Sequence, residues 1–290
     1  MNTNVSKPKF GTDGWRGIIG EDFNSFNCLL VVTSLLKLSP NLKKIIIGYD
    51  TRELSYEISI KIKKYLFNKG IDTILSSCPV PTPAVSFSVR NKGADLGIII
   101  TASHNSKIWN GIKIKNKYGQ SISEFEARKL TKIIYKEKID MDEFNKFDLI
   151  DLKENDTTDL LPDYINSIKK IIDVNKIKNS KLSLIVDCMN GTSKSILEKI
   201  IGAGECKISE INNNNDSSFP GIKQPEPIEE NLSGLKLKVK ELNADAGFAF
   251  DADSDRVGVI DNNTNLSLIH ISEPTRLLSI SYAGLCVKKK

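Results

Sequence analysis

The chain has 290 residues, of which 40% are hydrophobic and 27% are charged. This balance is typical of a chain that folds around an ordinary core, and it excludes a disordered chain or a small disulfide scaffold. At about 100–200 residues per domain, the length predicts two domains. The longest apolar runs, at 29–32 and 98–100, are far shorter than the ~18 residues of a membrane span, and residues 1–10 do not resemble a secretory signal. We therefore expect a cytoplasmic protein with no membrane partner.

Charge and cysteine content exclude two further classes of protein. The formal net charge is +5, but part of the excess lies in the last residues, Lys288, Lys289 and Lys290. The other lysines are spread over amphipathic segments, so the chain lacks the clustered basic face that binds nucleic acid. The five cysteines are odd in number and contain no Cys-x-x-Cys pair. We expect them to be reduced, mostly buried thiols that bind no zinc.

In the first half of the chain, short apolar runs alternate with segments of helical periodicity, a pattern typical of α/β layers. Strands are predicted at 44–48, 71–75 and 95–100. Helices are predicted to begin at Ser55, at Thr82 and at Ser123. Thr82 is interpreted as a helix cap because Pro83 follows it, and Ser123 forms a capping box with Glu126. These elements predict a first domain over residues 1–151.

The same alternation begins again after a polar segment, which predicts a second α/β domain over residues 155–262. Helices are predicted at 160–171, 192–201 and 236–242. Strands are predicted at 182–186, 246–250 and 257–260. The asparagine run at 212–216 is interpreted as a loop.

Ser103 follows the predicted strand at 95–100, where α/β proteins place active-site loops, so it is a candidate nucleophile. A turn or capping serine is the structural alternative. A serine hydrolase is disfavoured, because neighbours in an extended segment point to opposite sides and His104 should not reach Ser103. The other histidine, His270, lies near the end of the chain.

Three aspartates, Asp251, Asp253 and Asp255, alternate between two predicted strands. Extended geometry would project them to one side, where their carboxylates could hold one hard cation. An EF-hand is excluded, since Arg256 and Asn262 stand where that loop needs glycine and glutamate. Because few protein ligands leave positions for water or phosphate, we expect Mg²⁺.

Two weaker segments could bind phosphate. Residues 10–17 interleave three glycines with Asp13 and Arg16, and glycines let backbone amides approach an anion while arginine offers a bidentate fork. Lys113 could balance a phosphate or accept a proton if its pKa is depressed. Residues 10–17 could equally form a structural turn, and a lone lysine such as Lys113 is more often a surface residue.

Taken in order, these segments resemble the α-D-phosphohexomutases, the phosphoglucomutase and phosphomannomutase family. The matching segments are 10–17, 48–52, 101–105 with 110–113, 187–191, 225–227 and 251–256. Trp15 and the run from Trp109 to Lys113 look more like the glucose/mannose branch than the glucosamine branch. The resemblance implies two consecutive three-layer α/β domains with mixed sheets, the first two of a four-domain architecture.

The resemblance also implies the roles of the candidate residues. Ser103 would be carried as phosphoserine, receiving its phosphoryl group from glucose 1,6-bisphosphate. Asp251, Asp253 and Asp255 would bind Mg²⁺ together with an oxygen on Ser103. Arg16 and Lys113 would be acid/base candidates that also bind the substrate, a hexose phosphate. Thr12 would contact the substrate, and His104 would contact the phosphoserine region.

The end of the chain departs from the family pattern. The resemblance stops near Asn263, and we expect residues 263–290 to be a foreign tail on a truncated gene product, similar to translated adapter sequence. Ser106 also stands where the family usually has proline. Without the later domains, which normally orient the sugar, the chain should be a poor mutase.

The sequence leaves two alternatives open. One is a fragment that binds metal and phosphate without turnover. The other is a Mg²⁺-dependent phosphatase of the haloacid dehalogenase type, because Asp251 and Asp253 follow an apolar strand. That motif normally lies near the start of its domain, whereas little chain follows it here.

Overall fold

The computed structural model describes residues 6–11, 13–137 and 156–267. Thr12, the predicted domain boundary near residue 151, and the tail from residue 268 lie outside the described residues. The described chain forms two α/β units, each built on one mixed sheet, as the sequence predicts.

The first unit contains a six-stranded sheet in the order β1-β5-β4-β2-β3-β6. Its strands are β1 (Trp15–Ile18), β2 (Lys44–Tyr49), β3 (Asp72–Ser76), β4 (Leu96–Ile100), β5 (Trp109–Asn116) and β6 (Thr157–Thr158). β4, β2, β3 and β6 run parallel, while β5 and β1 pair antiparallel. The sequence did not predict β1, which occupies part of the glycine-containing segment, or β5.

Helices cover both faces of this sheet, and the alternation of side chains along β2 explains why. The helices are α1 (Ser25–Leu38), α2 (Ser55–Asn68), α3 (Thr82–Asn91) and α4 (Glu124–Lys136). Ile45 and Ile47 pack with α1, α2 and α4, whereas Ile46 points to the other face and packs with α3. The resulting three layers are those that the sequence predicts.

The capping box that begins α4 is formed as predicted. The Ser123 hydroxyl accepts from the Glu126 amide, and the Glu126 carboxylate accepts from the Ser123 amide. Replacing Ser123 with alanine should lower the free energy of unfolding by about 1 kcal/mol, because the first turn loses an acceptor. Urea unfolding measures this change, and Ser123→Thr should retain most of the stability. Equal loss in both variants would contradict the capping role.

The second unit contains a five-stranded sheet in the order β11-β10-β9-β7-β8. Its strands are β7 (Ser183–Asp187), β8 (Lys207–Ile211), β9 (Ala246–Phe250), β10 (Val257–Asp261) and β11 (Leu266–Ser267). Its helices are α5 (Leu161–Lys169), α6 (Val174–Lys178), α7 (Ile196–Ile201) and α8 (Ser233–Glu241). Leu184 packs toward α5 and α7, while the next residue, Ile185, packs toward α8. The second unit is therefore also three-layered.

The two units share one continuous apolar cluster. Leu161 and Ile165 of α5 belong to the same buried cluster as Val85 and Val89 of α3. This shared core fixes the first unit against the second, so that loops from both sheets can build one site.

Several element boundaries differ from the sequence prediction. Thr157 and Thr158 pair with β3, so the first sheet takes its last strand from chain beyond the predicted boundary. α7 begins at Ile196 rather than 192, because Asn190 and Ser195 adopt left-handed backbone angles in a turn. β11 extends the sheet into residues 263–290, the segment that the sequence analysis interprets as a foreign tail.

Four cysteines lie in the described ranges; all are free, and three of them are buried. Within those ranges, no helix is long and apolar enough to cross a lipid bilayer.

Candidate active site

The two loops with the strongest sequence signals meet between the units. The loop after β4 carries Ser103, and the loop after β9 carries Asp251. The Ser103 hydroxyl donates to Asp251 Oδ2 at 3.0 Å, although 148 residues separate them. Both residues are buried. Serine and carboxylate thus form a single site at the carboxyl ends of two strands, where α/β sheets bind ligands.

Local hydrogen bonds hold Ser103 in a tight turn. Its φ of 53° is in the left-handed region, which costs an ordinary residue roughly 1–2 kcal/mol. The Ser103 amide donates to the Thr101 hydroxyl at 2.8 Å, and that hydroxyl donates to Asp50 at 2.6 Å. Asp50 follows β2, so the neighbouring strand helps to hold the serine loop.

The expectation that His104 cannot reach Ser103 is wrong. His104 Nδ1 lies 3.4 Å from Ser103 Oγ, because the left-handed turn at Ser103 brings neighbouring side chains to the same side. Burial and the nearby positive charge of Arg256 lower the pKa of His104 to about 4. The ring is therefore neutral near pH 7 in this environment.

The three aspartates converge as predicted, although their loop is not extended. Asp251, Asp253 and Asp255 each place one carboxylate oxygen within 4.8 Å of the others. They do so on a turn in which Ser254 has a φ of 53°. Asp251 Oδ1 accepts from the amides of Asp255 and Arg256, both at 3.0 Å, and these bonds fold the loop around the first carboxylate.

This cluster fits a hard divalent cation. The Oδ1 atoms of Asp253 and Asp255 are buried and have no hydrogen-bond partner. Burial, with the like charges of these two neighbours, raises the pKa of Asp251 well above its usual range. Such orphaned oxygens are costly in a protein interior, and a cation that prefers oxygen ligands, as Mg²⁺ does, would satisfy them.

Lys113 does not have the depressed pKa that would make it a base. Its Nζ lies 2.9 Å from Asp253 and 2.6 Å from Asp255. Burial alone would lower the pKa of Lys113, but the surrounding carboxylates raise it overall. The same ion pair and the Thr82 hydroxyl hold the pKa of Asp253 below its usual range, although burial alone would raise it. Lys113 is thus a protonated partner of the aspartate cluster.

Thr82 anchors the aspartate loop instead of capping α3 with its side chain. Its hydroxyl donates to Asp253 Oδ2 at 2.6 Å, and its amide donates to the Asp253 carbonyl at 2.9 Å. The cap position of α3 is Pro81, so Thr82 is already inside the helix. Sequence reasoning missed this role because the contact crosses 171 residues.

Replacing Thr82 with valine should weaken Mg²⁺ binding by about 10-fold, since residues that orient ligands typically contribute 10–100-fold. Valine keeps the shape of the side chain but cannot donate to Asp253. Calorimetric titration with Mg²⁺ checks this, with Thr82→Ser as the control that retains the donor. Unchanged affinity in Thr82→Val would show that the hydroxyl does not orient Asp253.

Arg16 lies beside the same site, where its guanidinium binds two protein side chains. Its guanidinium donates to Asn105 Oδ1 at 2.7 Å and to Asp13 Oδ2 at 2.6 Å. Asp13 also lies 3.6 Å from Lys113 Nζ. Arg16 therefore joins the serine loop to the edge of the aspartate cluster. Thr12, the remaining candidate, lies outside the described residues.

Two further groups at the site carried no role in the sequence analysis. Arg52 lies beneath the serine loop and donates to the carbonyls of Ser103 and Asn105. Glu226 accepts from Arg256 at 2.8 Å and lies 3.9 Å from His104 Nε2. Both residues lie in segments that resemble the family, 48–52 and 225–227, but the local sequence does not predict which groups they contact.

The fold and the site define a layered α/β protein in which a buried serine faces a carboxylate cluster across two domains. The family model for phosphoglucomutase/phosphomannomutase, alpha/beta/alpha domain I, matches residues 7–140, and that for domain II matches residues 162–264. The chain belongs to the phosphoglucomutase/phosphomannomutase family.

Individual relatives agree with this assignment. The chain is 36% identical to the "Probable phosphoglucosamine mutase" of Methanosphaera stadtmanae, over 90% of this chain and 57% of that protein. It is 33% identical to the phosphoglucomutase/phosphomannomutase of Thermococcus kodakarensis, over 88% and 55% of the two chains. A crystal structure of a phosphoglucomutase/phosphomannomutase family protein from Burkholderia thailandensis superposes with a TM-score of 0.71 and 25% identity, over 90% and 56%. The chain thus spans little more than half the length of these relatives. Their names include phosphoglucosamine mutase as well as phosphoglucomutase/phosphomannomutase.

Proposed function

We propose that this chain carries the phosphoserine and metal half of a phosphohexomutase site, which interconverts hexose 1-phosphates and hexose 6-phosphates. The observation that carries the proposal is the 3.0 Å contact between Ser103 Oγ and Asp251, beside two buried carboxylate oxygens without partners. A phosphoryl group on Ser103 would lie against that cluster.

In the proposed reaction, Ser103 Oγ attacks one phosphorus atom of glucose 1,6-bisphosphate, and the bond from that phosphorus to the sugar oxygen breaks. The serine hydroxyl proton is directed at Asp251 Oδ2, its acceptor in the structure. Lys113, protonated among the carboxylates, has the role of donating a proton to the leaving sugar oxygen. Return of the phosphoryl group to the other end of a hexose monophosphate completes the interconversion.

Asp251, Asp253 and Asp255 would hold Mg²⁺ together with an oxygen on Ser103, and this cation would neutralise charge on the transferred group. The support for this assignment is the set of orphaned carboxylate oxygens, all of the hard type that Mg²⁺ prefers. In addition to Lys113, Arg16 would supply a second positive group at the edge of the aspartate cluster.

The choice of hexose is a finer proposal. We propose glucose and mannose phosphates, on the resemblance of the segments around Trp15 and Trp109. The Trp15 ring packs in the core against Phe23. This residue would therefore distinguish the glucose/mannose branch of the family without contacting the sugar. Competing glucose 6-phosphate, mannose 6-phosphate and glucosamine 6-phosphate in one assay tests the choice, and preference for the amino sugar would overturn it.

The experiment that tests the function combines turnover with metal binding. Conversion of glucose 1-phosphate to glucose 6-phosphate is followed by ³¹P NMR, with Mg²⁺ and a trace of glucose 1,6-bisphosphate, for the wild type and Ser103→Ala. Turnover lost in Ser103→Ala supports the mutase. Mg²⁺ binding without turnover and without phosphoserine would favour the binding fragment instead. Family membership and the serine facing Asp251 disfavour the haloacid dehalogenase alternative.

A further inference from the structure

Arg52 is a buried cation that takes no part in the proposed reaction. Its guanidinium instead binds the loop that carries Ser103. Nη2 donates to the carbonyls of Ser103 and Asn105, at 2.6 and 2.5 Å. Nη1 donates to the carbonyls of Ser106 and Trp109, at 2.9 and 3.1 Å. One side chain from the loop after β2 thus binds three carbonyls of the loop between β4 and β5 and the carbonyl of Trp109, the first residue of β5.

The donor geometry of these contacts is specific to arginine. The guanidinium has five N–H donors in a rigid plane, whereas the ammonium of lysine has three donors and no such fork. Arg52 Nε lies 3.2 Å from Asp50 Oδ2, which makes an ion pair but no hydrogen bond. Asp50 also accepts from Thr101, so the same carboxylate braces both the arginine and the start of the serine loop.

A residue of the second unit covers the guanidinium. The Phe219 ring lies over Arg52, with the guanidinium carbon 5.1 Å from the ring centroid. Phe219 is buried and sits in a tight turn, with a φ of 45° and hydrogen bonds to Asp216 and Ile222. A desolvated cation over an aromatic face is attracted by the negative face of the ring, so this contact holds Arg52 in place.

We infer that Arg52 is a positioning residue for Ser103, and that its contact with Phe219 makes the geometry of the serine loop depend on the docked second unit. The inference rests on the proposed function for its catalytic consequence, but the mechanical coupling stands on these contacts alone. Neither residue is assigned a contact with the sugar or the cation.

Hydrogen exchange of the whole chain tests the coupling without requiring activity. The amides of Ser103, Asn105 and Trp109 are bonded within the serine loop. Phe219→Leu keeps an apolar side chain but removes the aromatic face, and Arg52→Lys keeps the charge but removes the fork. Both should speed exchange in residues 102–109 by at least about fivefold, as expected when a local segment is loosened. Phe67→Leu and Arg90→Lys, at exposed positions of the first unit, are the matched controls and should behave as the wild type.

The catalytic consequence is measured as the rate of phosphoryl uptake by Ser103 from glucose 1,6-bisphosphate. Misplacing a reacting group by about 1 Å can cost about 100-fold, the loss expected for Arg52→Lys, with about tenfold for Phe219→Leu. The bisphosphate concentration that gives half the maximal rate should stay within about threefold, since positioning acts on rate more than on binding.

Unchanged exchange in residues 102–109, or faster exchange spread evenly over both sheets, would overturn the coupling. Normal phosphoryl uptake by folded Arg52→Lys would overturn the positioning role. If the wild type takes up no phosphoryl group, the proposed function fails in this chain, and the exchange comparison alone then decides the coupling.

Discussion

Replacing Asp251 with asparagine is expected to weaken Mg²⁺ binding by at least about 100-fold while leaving the metal-free fold intact. Removing a direct ligand should exceed the 10–100-fold loss typical of residues that only orient ligands. Burial and the like charges of Asp253 and Asp255 raise the pKa of Asp251, so the carboxylate charge is costly there and the neutral amide of asparagine should be tolerated. Its Oδ1 can still accept from Asp255 and Arg256, so the turn should persist.

Calorimetry with Mg²⁺ and thermal unfolding without metal measure these two effects. The unfolding temperature of Asp251→Asn should lie within about 3 °C of the wild type, which corresponds to about 1 kcal/mol for a chain of this size. Asp163→Asn, which removes a half-exposed carboxylate far from the cluster, is the matched control. Full Mg²⁺ affinity in Asp251→Asn would exclude the aspartate cluster as the metal site.

Replacing Gly191 with alanine is expected to destabilise the fold by about 1–3 kcal/mol and to displace the aspartate loop. A Cβ on Gly191 would lie 2.5 Å from the Ala252 carbonyl oxygen and 2.7 Å from its Cα. Both are backbone atoms, so the contact cannot be relieved by a side-chain rotation. Because Ala252 stands between Asp251 and Asp253, its displacement should weaken Mg²⁺ binding as well.

Gly234→Ala provides the matched control for this prediction. Gly234 lies in α8, and a Cβ there would meet no atom within 4 Å. Alanine favours a helix by about 1 kcal/mol over glycine, so this variant should be as stable as the wild type or slightly more stable. Equal stability and Mg²⁺ affinity in Gly191→Ala would contradict the close approach of the two loops.

Local sequence signals predicted the elements that are continuous and apolar. β2, β4, β7 and β9 each read as a short apolar run, and the α4 capping box is formed by Ser123 and Glu126 as predicted. β5 was not predicted, because it alternates isoleucines with Lys113 and Lys115, and both lysines are buried rather than solvated. Lys113 lies against Asp253 and Asp255 of the second unit. Local periodicity contains no information about such a neighbour.

The site residues divide in the same way, into those with a local sequence signal and those that depend on distant contacts. Ser103 and the three aspartates could be predicted from their place after apolar strands, and the convergence of the carboxylates is confirmed. The partners of these groups could not be predicted, since the Thr82 and Lys113 contacts to Asp253 span 171 and 140 residues. The left-handed turn at Ser103, which brings His104 beside the hydroxyl, likewise depends on contacts from other strands.

We propose that the loops of the two units form one phosphoryl-accepting site. Intact-protein mass spectrometry after incubation with glucose 1,6-bisphosphate and Mg²⁺ tests it most directly. We expect the wild type to gain one phosphoryl group, about 80 Da, and Ser103→Ala to gain none. Ser167→Ala, on α5 and away from the site, should gain the group as the wild type does. No gain in folded wild-type protein, or an equal gain in Ser103→Ala, would contradict the claim.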